Sequence, residues 1–412
     1  MGVLLTRRAV LRAQLEPNYN DPQPMDQFDG VLVSEPQFTA ETNVLERDFT
    51  RDSISRSPHI IGRKTAQMTF TTELRGNGRQ NSGLAADAPL IARLFQACGY
   101  EMVPHTAPHA KGPFDIDDHP NTVLWTADAT DADNTDTICY FLEVTKGGAS
   151  GTAEITVTSE TAGESNAAAV VTTATEFTVG GSGLTVTPTF TGNLVEGQKW
   201  VLWLFPAGLV LQPISDGFQS ITLEMNKDGV RHFMPGAFGT FEITATAGEY
   251  ATVAWTFMGL YTAPTDAPAP NVIYERTLPP MVELARLRVN GFYAIVETLT
   301  FNQNNDVQIR PDVSSAEGII GYRIVSRAPE GGINPEATLV ADNDFWGDMT
   351  KARRLPLQMR VGQQEGNTVW MVAPGAQYTG LTYADRNGIL TYDAGLMFPA
   401  YLNNDEVFFV FT

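Results

Sequence analysis

Leu223-Glu224-Met225 and Pro235-Gly236-Ala237 recur downstream as Leu357-Gln358-Met359 and Pro374-Gly375-Ala376, at offsets of 134 and 139 residues. The turn at Gly248 recurs at Gly388, at an offset of 140. Nearer the start, Asp52-Ser53-Ile54-Ser55 beside Arg51 is matched by Asp312-Val313-Ser314-Ser315 beside Arg310, and Ile60-Ile61-Gly62 by Ile319-Ile320-Gly321, at offsets of 260 and 259. A helix signal with an acidic cap opens at Asp87, runs through Leu90-Ile91-Ala92-Arg93-Leu94-Phe95 and closes at Gly99; a shorter one opens at Asp344, 257 residues on. Features that keep their order and offset indicate an internal duplication. The fall in offset by about 120 residues means that the first copy carries an inserted module, roughly between Tyr100 and Ser220.

Both copies read as β structure. Met68, Phe70, Thr72 and Leu74 alternate on one stretch, and Ile221, Leu223 and Met225 on another. Further strands are expected at Phe241–Thr246, Val253–Phe257, Val369–Met371 and Ile389–Thr391, with turns at Lys227-Asp228-Gly229 and Asp385-Arg386-Asn387-Gly388. One helix per copy would cover a sheet face, which gives a mostly β (α+β) sandwich.

From Pro120 to Phe205 the chain has ten acidic residues against two lysines and no arginine. Short alternating stretches at Ile155-Thr156-Val157, Phe177-Thr178-Val179 and Leu184-Thr185-Val186 predict a small antiparallel β-sandwich. Its acidity suggests a segment bathed in solvent and not buried between the copies. Ala263-Pro264-Thr265-Asp266-Ala267-Pro268-Ala269-Pro270, with Pro279-Pro280 beyond, reads as a semi-rigid spacer. The expected organisation is a first copy at 1–100 and 216–262 with an N-terminal arm at 1–26, an insertion at 101–215, a linker at 263–283 and a second copy at 284–412.

At 412 residues more than one core is expected. Formal net charge is −20, from 47 acidic and 27 basic residues, which opposes affinity for nucleic-acid phosphates. Cys98 and Cys139 cannot form a disulfide framework. Arg7-Arg8 lacks the uninterrupted apolar run of an export signal, and the richest apolar run, Trp200-Val201-Leu202-Trp203-Leu204-Phe205, is far too short to span a bilayer.

The sharpest candidate for chemistry is His105, His109 and His119 with Asp115, Asp117 and Asp118, since zinc needs three or four convergent ligands. Pro108 between the first two histidines argues against the helix that would converge them, so an exposed polar loop is the preferred reading and no metal is expected. Arg75-Gly76-Asn77-Gly78-Arg79 lacks the Gly-Lys-Ser/Thr ending of a phosphate-binding loop, and no nucleophile elbow occurs. Trp200, Trp203, Trp255, Trp346 and Trp370 are expected as core or interface anchors. No catalytic residue and no cofactor is expected.

The opening Thr6-Arg7-Arg8-Ala9-Val10-Leu11 through Glu16, with Asp21-Pro22-Gln23-Pro24, resembles the N-terminal arm of bacteriophage major tail proteins, the tail tube proteins. Met68-Thr69-Phe70-Thr71-Thr72-Glu73-Leu74-Arg75-Gly76 and Leu94-Phe95-Gln96-Ala97-Cys98-Gly99-Tyr100 are similar to their first sheet strand and helix end. Val372-Ala373-Pro374-Gly375-Ala376-Gln377-Tyr378 and Tyr383-Ala384-Asp385-Arg386-Asn387-Gly388-Ile389-Leu390 resemble the close of the second domain in duplicated members.

The resemblance implies two tandem tube-type sandwiches, each with a flanking helix. Their sheets would join edge to edge around a lumen for DNA, in rings of three chains with six similar domains, stacked into the tail of a long-tailed phage. It implies Arg7, Arg8, Arg51, Asp52, Arg310 and Asp312 as ring-stacking contacts, and an acidic or neutral lumen for which Glu224, Asp228 and Asp306 are candidates. Partners would be further copies of the chain, a tape measure protein, a tail terminator and passing double-stranded DNA bound without specificity; no membrane insertion is expected. Assembly would occur in the host cytoplasm and the product would reside in the virion tail. A secreted or surface adhesin, or carbohydrate-binding protein, is the alternative that the acidic, Thr-rich insertion also suits. A glycan-active enzyme on a β-sandwich is a third, and within the phage class a contractile tail or a terminator stays open.

Overall fold

The computed structural model describes residues 4–5, 7–50, 52, 54–79, 84, 88–117, 119, 122–315 and 318–412. Strands take 53% of the chain and helices 3%, so the fold is mostly β and the helices are accessory. The first copy contributes β1 (Ala9–Leu15), β2 (Gly30–Val31), β3 (Ser34–Leu45), β4 (Ile60–Glu73), α1 (Ile91–Gln96) and β5 (Tyr100–His105). The inserted strands are β6 (His109–Asp115), β7 (Val123–Asp128), β8 (Ile138–Lys146), β9 (Glu154–Ser159), β10 (Asn166–Val170), β11 (Phe177–Val179), β12 (Leu184–Phe190) and β13 (Lys199–Phe205). The chain then returns through β14 (Gly208–Pro213), β15 (Ile221–Lys227), β16 (Val230–Thr246), β17 (Thr252–Gly259) and β18 (Thr265–Asp266).

The second copy holds β19 (Arg288–Val289), β20 (Phe292–Tyr293), β21 (Val296–Asn302), β22 (Asn305–Pro311), β23 (Ile319–Arg327) and β24 (Glu330–Pro335). After α2 (Phe345–Thr350) come β25 (Leu355–Val361), β26 (Val369–Arg386), β27 (Ile389–Met397) and β28 (Phe408–Phe411).

Strand pairing repeats faithfully. β15 pairs β1 and β16, and β16 pairs β17, which pairs β4, which pairs β3. In the second copy β25 pairs β19 and β26, and β26 pairs β27, which pairs β24, which pairs β21. The long strands β16 and β26 each serve two sheets, turning between them near Pro235-Gly236-Ala237 and Pro374-Gly375-Ala376, where register slips by a bulge. The expected hairpin turns occur where a positive φ is needed: Asp228 and Gly229 at 47° and 103°, Asn387 and Gly388 at 55° and 85°.

Register also corrects two details. Thr42 opposite Lys64 and Val44 opposite Ile61 correspond to Asn305 opposite Arg327 and Val307 opposite Ile324, a constant offset of 263. The match of Ile60-Ile61-Gly62 with Ile319-Ile320-Gly321 is therefore displaced by four residues. The first helix is also shorter than its pattern, beginning at Ile91 after Leu90 with no side-chain cap; Asp87 lies outside the described residues. Asp344 does cap α2, its carboxylate accepting from the Gly347 N–H.

The central core lies between the sheets, with Phe95 of α1 against Phe241, Trp255 and Phe409 at centroid distances of 4.8–5.1 Å. Among the described residues, strands β6 to β13 pair only with one another, as a five-stranded and a three-stranded sheet around Tyr140, Leu142, Val157, Val186 and Trp200. The segment is less solvated than its charge suggested. Val201, Trp203 and Phe205 on the other face of β13 pack with Phe114 against Trp370, Val372, Phe408 and Val410 of the second copy, and Trp203 Nε1 donates to Gln358. The apolar run at β13 does not alternate because it is buried on both faces.

Candidate assembly interface

Eight strands form one continuous antiparallel sheet in the order β3, β4, β17, β16, β21, β24, β27, β26. The first four come from one copy and the last four, in the same order of equivalent strands, from the other. They join where β16 meets β21, with Glu242 opposite Asn302, Ile243 opposite Phe301 and Thr244 opposite Thr300. Among the described residues, β3 has no partner on its outer edge, and neither does β26 beyond Gln377. An unpaired edge presents a row of free N–H and C=O groups, a template for another strand.

Side chains alternate across this sheet. Phe241, Ile243, Val253, Trp255, Phe70 and Phe301 face the core, and the open face carries Thr69, Thr71, Thr240, Thr244, Thr256 and Thr300 with Glu73, Glu242, Glu330 and Asp393. Arg386, at a strand end, pairs with Glu336 at 3.0 Å.

The N-terminal arm is pinned at the bend of β16. The Glu16 carboxylate is buried and accepts from the hydroxyls of Ser220 and Thr222 and from the N–H groups of Asn20 (2.8 Å) and Gly236 (2.9 Å). Tyr19 O–H donates to Gly236 O and accepts from Tyr322 N–H at 2.8 Å, which ties the arm to the second copy; burial pushes its pKa up to about 12.

The residues singled out from sequence fall in several places. Glu224 is only 3% exposed and is held by Arg12 Nε (3.1 Å) and Arg231 Nε (2.8 Å), so its charge is neutralised inside the sheet and not offered to an open surface. Asp228 sits in the β15–β16 turn and pairs with Arg8 at 2.9 Å. Asp306 is exposed on β22 and accepts from Gln308. Arg7 and Asp52 are exposed, Arg310 is exposed on β22, and Asp312 caps its turn by accepting from Ser314 N–H; Arg51 lies outside the described residues. Glu242, which sequence reasoning passed over, occupies the centre of the open face. Its signal was the Phe241-Glu242-Ile243-Thr244-Ala245-Thr246 alternation.

His105 and His109 stack ring on ring at 3.7 Å, while His119 turns away to Asp117 at 3.1 Å. Among the described residues no three His, Cys, Asp or Glu side chains come together as a metal site; Asp118 lies outside them. No helix among them is long and apolar enough to cross a membrane.

Among the described residues, the main sheet of this mostly β chain ends in two unpaired edges that correspond to the two sides of its internal seam, an arrangement suited to self-association. A family model described as phage tail tube protein matches residues 6–383, and the chain belongs to that family. The family is structural and not enzymatic, so the chain is a tail tube component of a bacteriophage virion that self-assembles into a tube. No curated protein matches it.

Proposed function

We propose that three chains close into a ring of six similar repeats, and that stacked rings form the conduit of a non-contractile tail through which the genome is ejected. One observation carries this reading: the eight-strand sheet already contains one repeat-to-repeat seam, β16 to β21, and ends in the two edges, β3 and β26, that would form the same seam with neighbours. Three chains of eight strands give 24 strands. At a spacing of about 4.8 Å and a tilt of about 40°, they enclose a barrel about 50 Å across at the backbone, wide enough for a DNA duplex.

The open face of the sheet would line this lumen. Threonine hydroxyls and the carboxylates of Glu73, Glu242 and Glu330 repel phosphates, so DNA slides without binding. Glu242 replaces Glu224 as the lumen group, because Glu224 is enclosed by arginines. The chain divides for this purpose into a first tube unit with its arm, an inserted sandwich, a Pro-rich linker and a second tube unit. The insertion, carried by the first copy and packed on the second, would stand outside the barrel. The arm with Arg7 and Arg8, and the hairpin tips at Arg51-Asp52 and Arg310-Asp312, would bridge successive rings. The tape measure protein would occupy the lumen before DNA and a terminator would cap the end, after assembly in the host cytoplasm.

Electron microscopy with mass measurement of isolated rings tests this. Annuli of three chains with sixfold-like density are expected; a chain that stays monomeric at high concentration overturns it.

A further inference from the structure

The seam inside the chain provides a template for the seam between chains, because strand register fixes which residues are equivalent. Met258 opposite Phe238 corresponds to Met397 opposite Gln377. Past a one-residue bulge in β26, Glu242 and Ile243 correspond to Thr382 and Tyr383, by their shared positions opposite Ala254 and Val253 in one copy and Asp393 and Tyr392 in the other. On the other side, Phe301 and Asn302 correspond to Phe38 and Thr39, opposite Gly331 and Glu330 as against Met68 and Gln67.

Burial differs at equivalent positions in one consistent way. Ile243 and Phe301, joined within the chain, are 1% and 0% exposed, whereas Tyr383 is 61% exposed. Beyond the seam, hairpin β22–β23 of the second copy folds over β16 and β17 of the first, where Ile324, 5% exposed, and Val307 pack with Phe238, Met258 and Leu260. Among the described residues the equivalent hairpin of the first copy has no such surface to rest on: Val44 and Ile61, the counterparts of Val307 and Ile324, are 47% and 54% exposed. The counterpart of Met258 in the second copy, Met397, is 41% exposed. At these equivalent positions apolar groups are covered where the neighbouring repeat is present and bare where it is missing, at both ends of the same sheet.

We infer that the surface formed by β26 and β27 takes β3 and the β3–β4 hairpin of a second copy of this chain. Thr382 lies opposite Thr39, Tyr383 opposite Phe38 and Ala384 opposite Gln37, while Val44 and Ile61 close over Met397. This rests on the ring reading above and adds its register and its apolar clasp. The strands run antiparallel, as β16 and β21 do. Phe38, already half-buried against the core and tilted against His232 at 4.4 Å, completes the aromatic group of Tyr383, Trp346 and Tyr392, whose rings lie 5.2–5.9 Å apart.

Paired cysteines read the register. In a chain carrying Thr39→Cys and Thr382→Cys, the two thiols sit at opposite ends of one sheet, so any disulfide joins different chains. Mild oxidation of assembled protein should give covalent dimers and trimers on a non-reducing denaturing gel. The pair Gln37→Cys and Thr382→Cys, out of register by two residues on the same face, should give at least about tenfold less, since a disulfide demands closely facing Cβ atoms. Intact rings in which the shifted pair links as well or better overturn the register and leave the ring itself standing. Absence of any ring overturns both.

Met397→Glu tests the clasp separately. The substituted side chain is solvent-accessible in the lone chain, so folding by circular dichroism should be unchanged, and the concentration needed for ring formation should rise about tenfold or more, because a charge would be buried at each seam. An unchanged threshold overturns the clasp. Val44→Asp, on the facing hairpin, should act in the same direction, and a result opposite to that of Met397→Glu counts against the contact.

Discussion

Replacing His109 by phenylalanine removes the group whose protonation the fold opposes most strongly. Its ring is 7% exposed and lies between His105 and Phe205. The charged groups facing it are His105 from β5 and Lys111 from β6, the latter held by Gln212 of β14 at 2.7 Å. Burial, reinforced by these cations, lowers the His109 pKa to about 3 from an ordinary value of 6.5. Between those values the unfolded chain binds the proton and the folded chain refuses it, so stability is lost as pH falls from 6.5 towards 3. Going from pH 6.5 to 4.5 covers two units, or ~3 kcal/mol at about 1.4 kcal/mol per unit.

Asp115 works in the opposite sense. Burial raises its pKa to about 6, so its ionised form destabilises the fold and acidification from 6 to 4.5 restores ~2 kcal/mol. Wild-type protein therefore conceals the histidine effect, and the difference between variants is the informative quantity. Hydrogen exchange of the β6 and β13 amides in unassembled chains, at pH 7 and pH 4.5, measures the local opening free energy. His109→Phe should lose ~3 kcal/mol less than wild type on acidification. Equal losses in both proteins would refute the reasoning.

Three further outcomes are expected. Glu224→Ala leaves Arg12 and the partly exposed Arg231 without the carboxylate between them and should destabilise β1 by ~2 kcal/mol, read by amide exchange at Leu11 and Ala13, with Glu224→Gln costing less. Tyr19→Phe loses the bonds to Gly236 and Tyr322 and should weaken arm docking by ~1–3 kcal/mol, read as faster proteolysis before residue 26 with the remainder intact. Lysine at Glu73, Glu242 and Glu330 together should leave folding within about 0.5 kcal/mol of wild type, yet tubes should retain DNA fragments in a salt-dependent manner; equal DNA passage through both tubes would remove that face from the lumen.

Much of the fold was legible because local chemistry and tertiary structure agree. The Asp228-Gly229 and Asn387-Gly388 turns need positive φ and have residues that tolerate it. The Pro-Gly-Ala repeats mark bends that both copies share. Glu224 misled because alternation in β15 places it like a surface residue; the arginines that enclose it come from β1 and β16, and no local pattern reports such a partnership. The insertion's docking was hidden similarly: ten carboxylates over the segment describe its average surface, while Trp203 and its neighbours decide which face is dry. The free edges left no mark at all, since Val44 and Ile61 read as ordinary hairpin residues until their counterparts are seen covered.

Covalent duplication changes the order of the assembly reaction. In the proposed annulus of six repeats one seam of every two is built into the polypeptide, so only three molecules need to meet and the equilibrium yield would scale with the cube of concentration and not the sixth power. The linker between repeats acts as a permanent tether, holding one edge at an effective concentration far above that of free subunits in a cell. A single gene product then escapes the choice between like neighbours that six separate copies would face, and each repeat is free to specialise, the first in carrying the arm and the inserted sandwich and the second in supplying the face on which that sandwich packs.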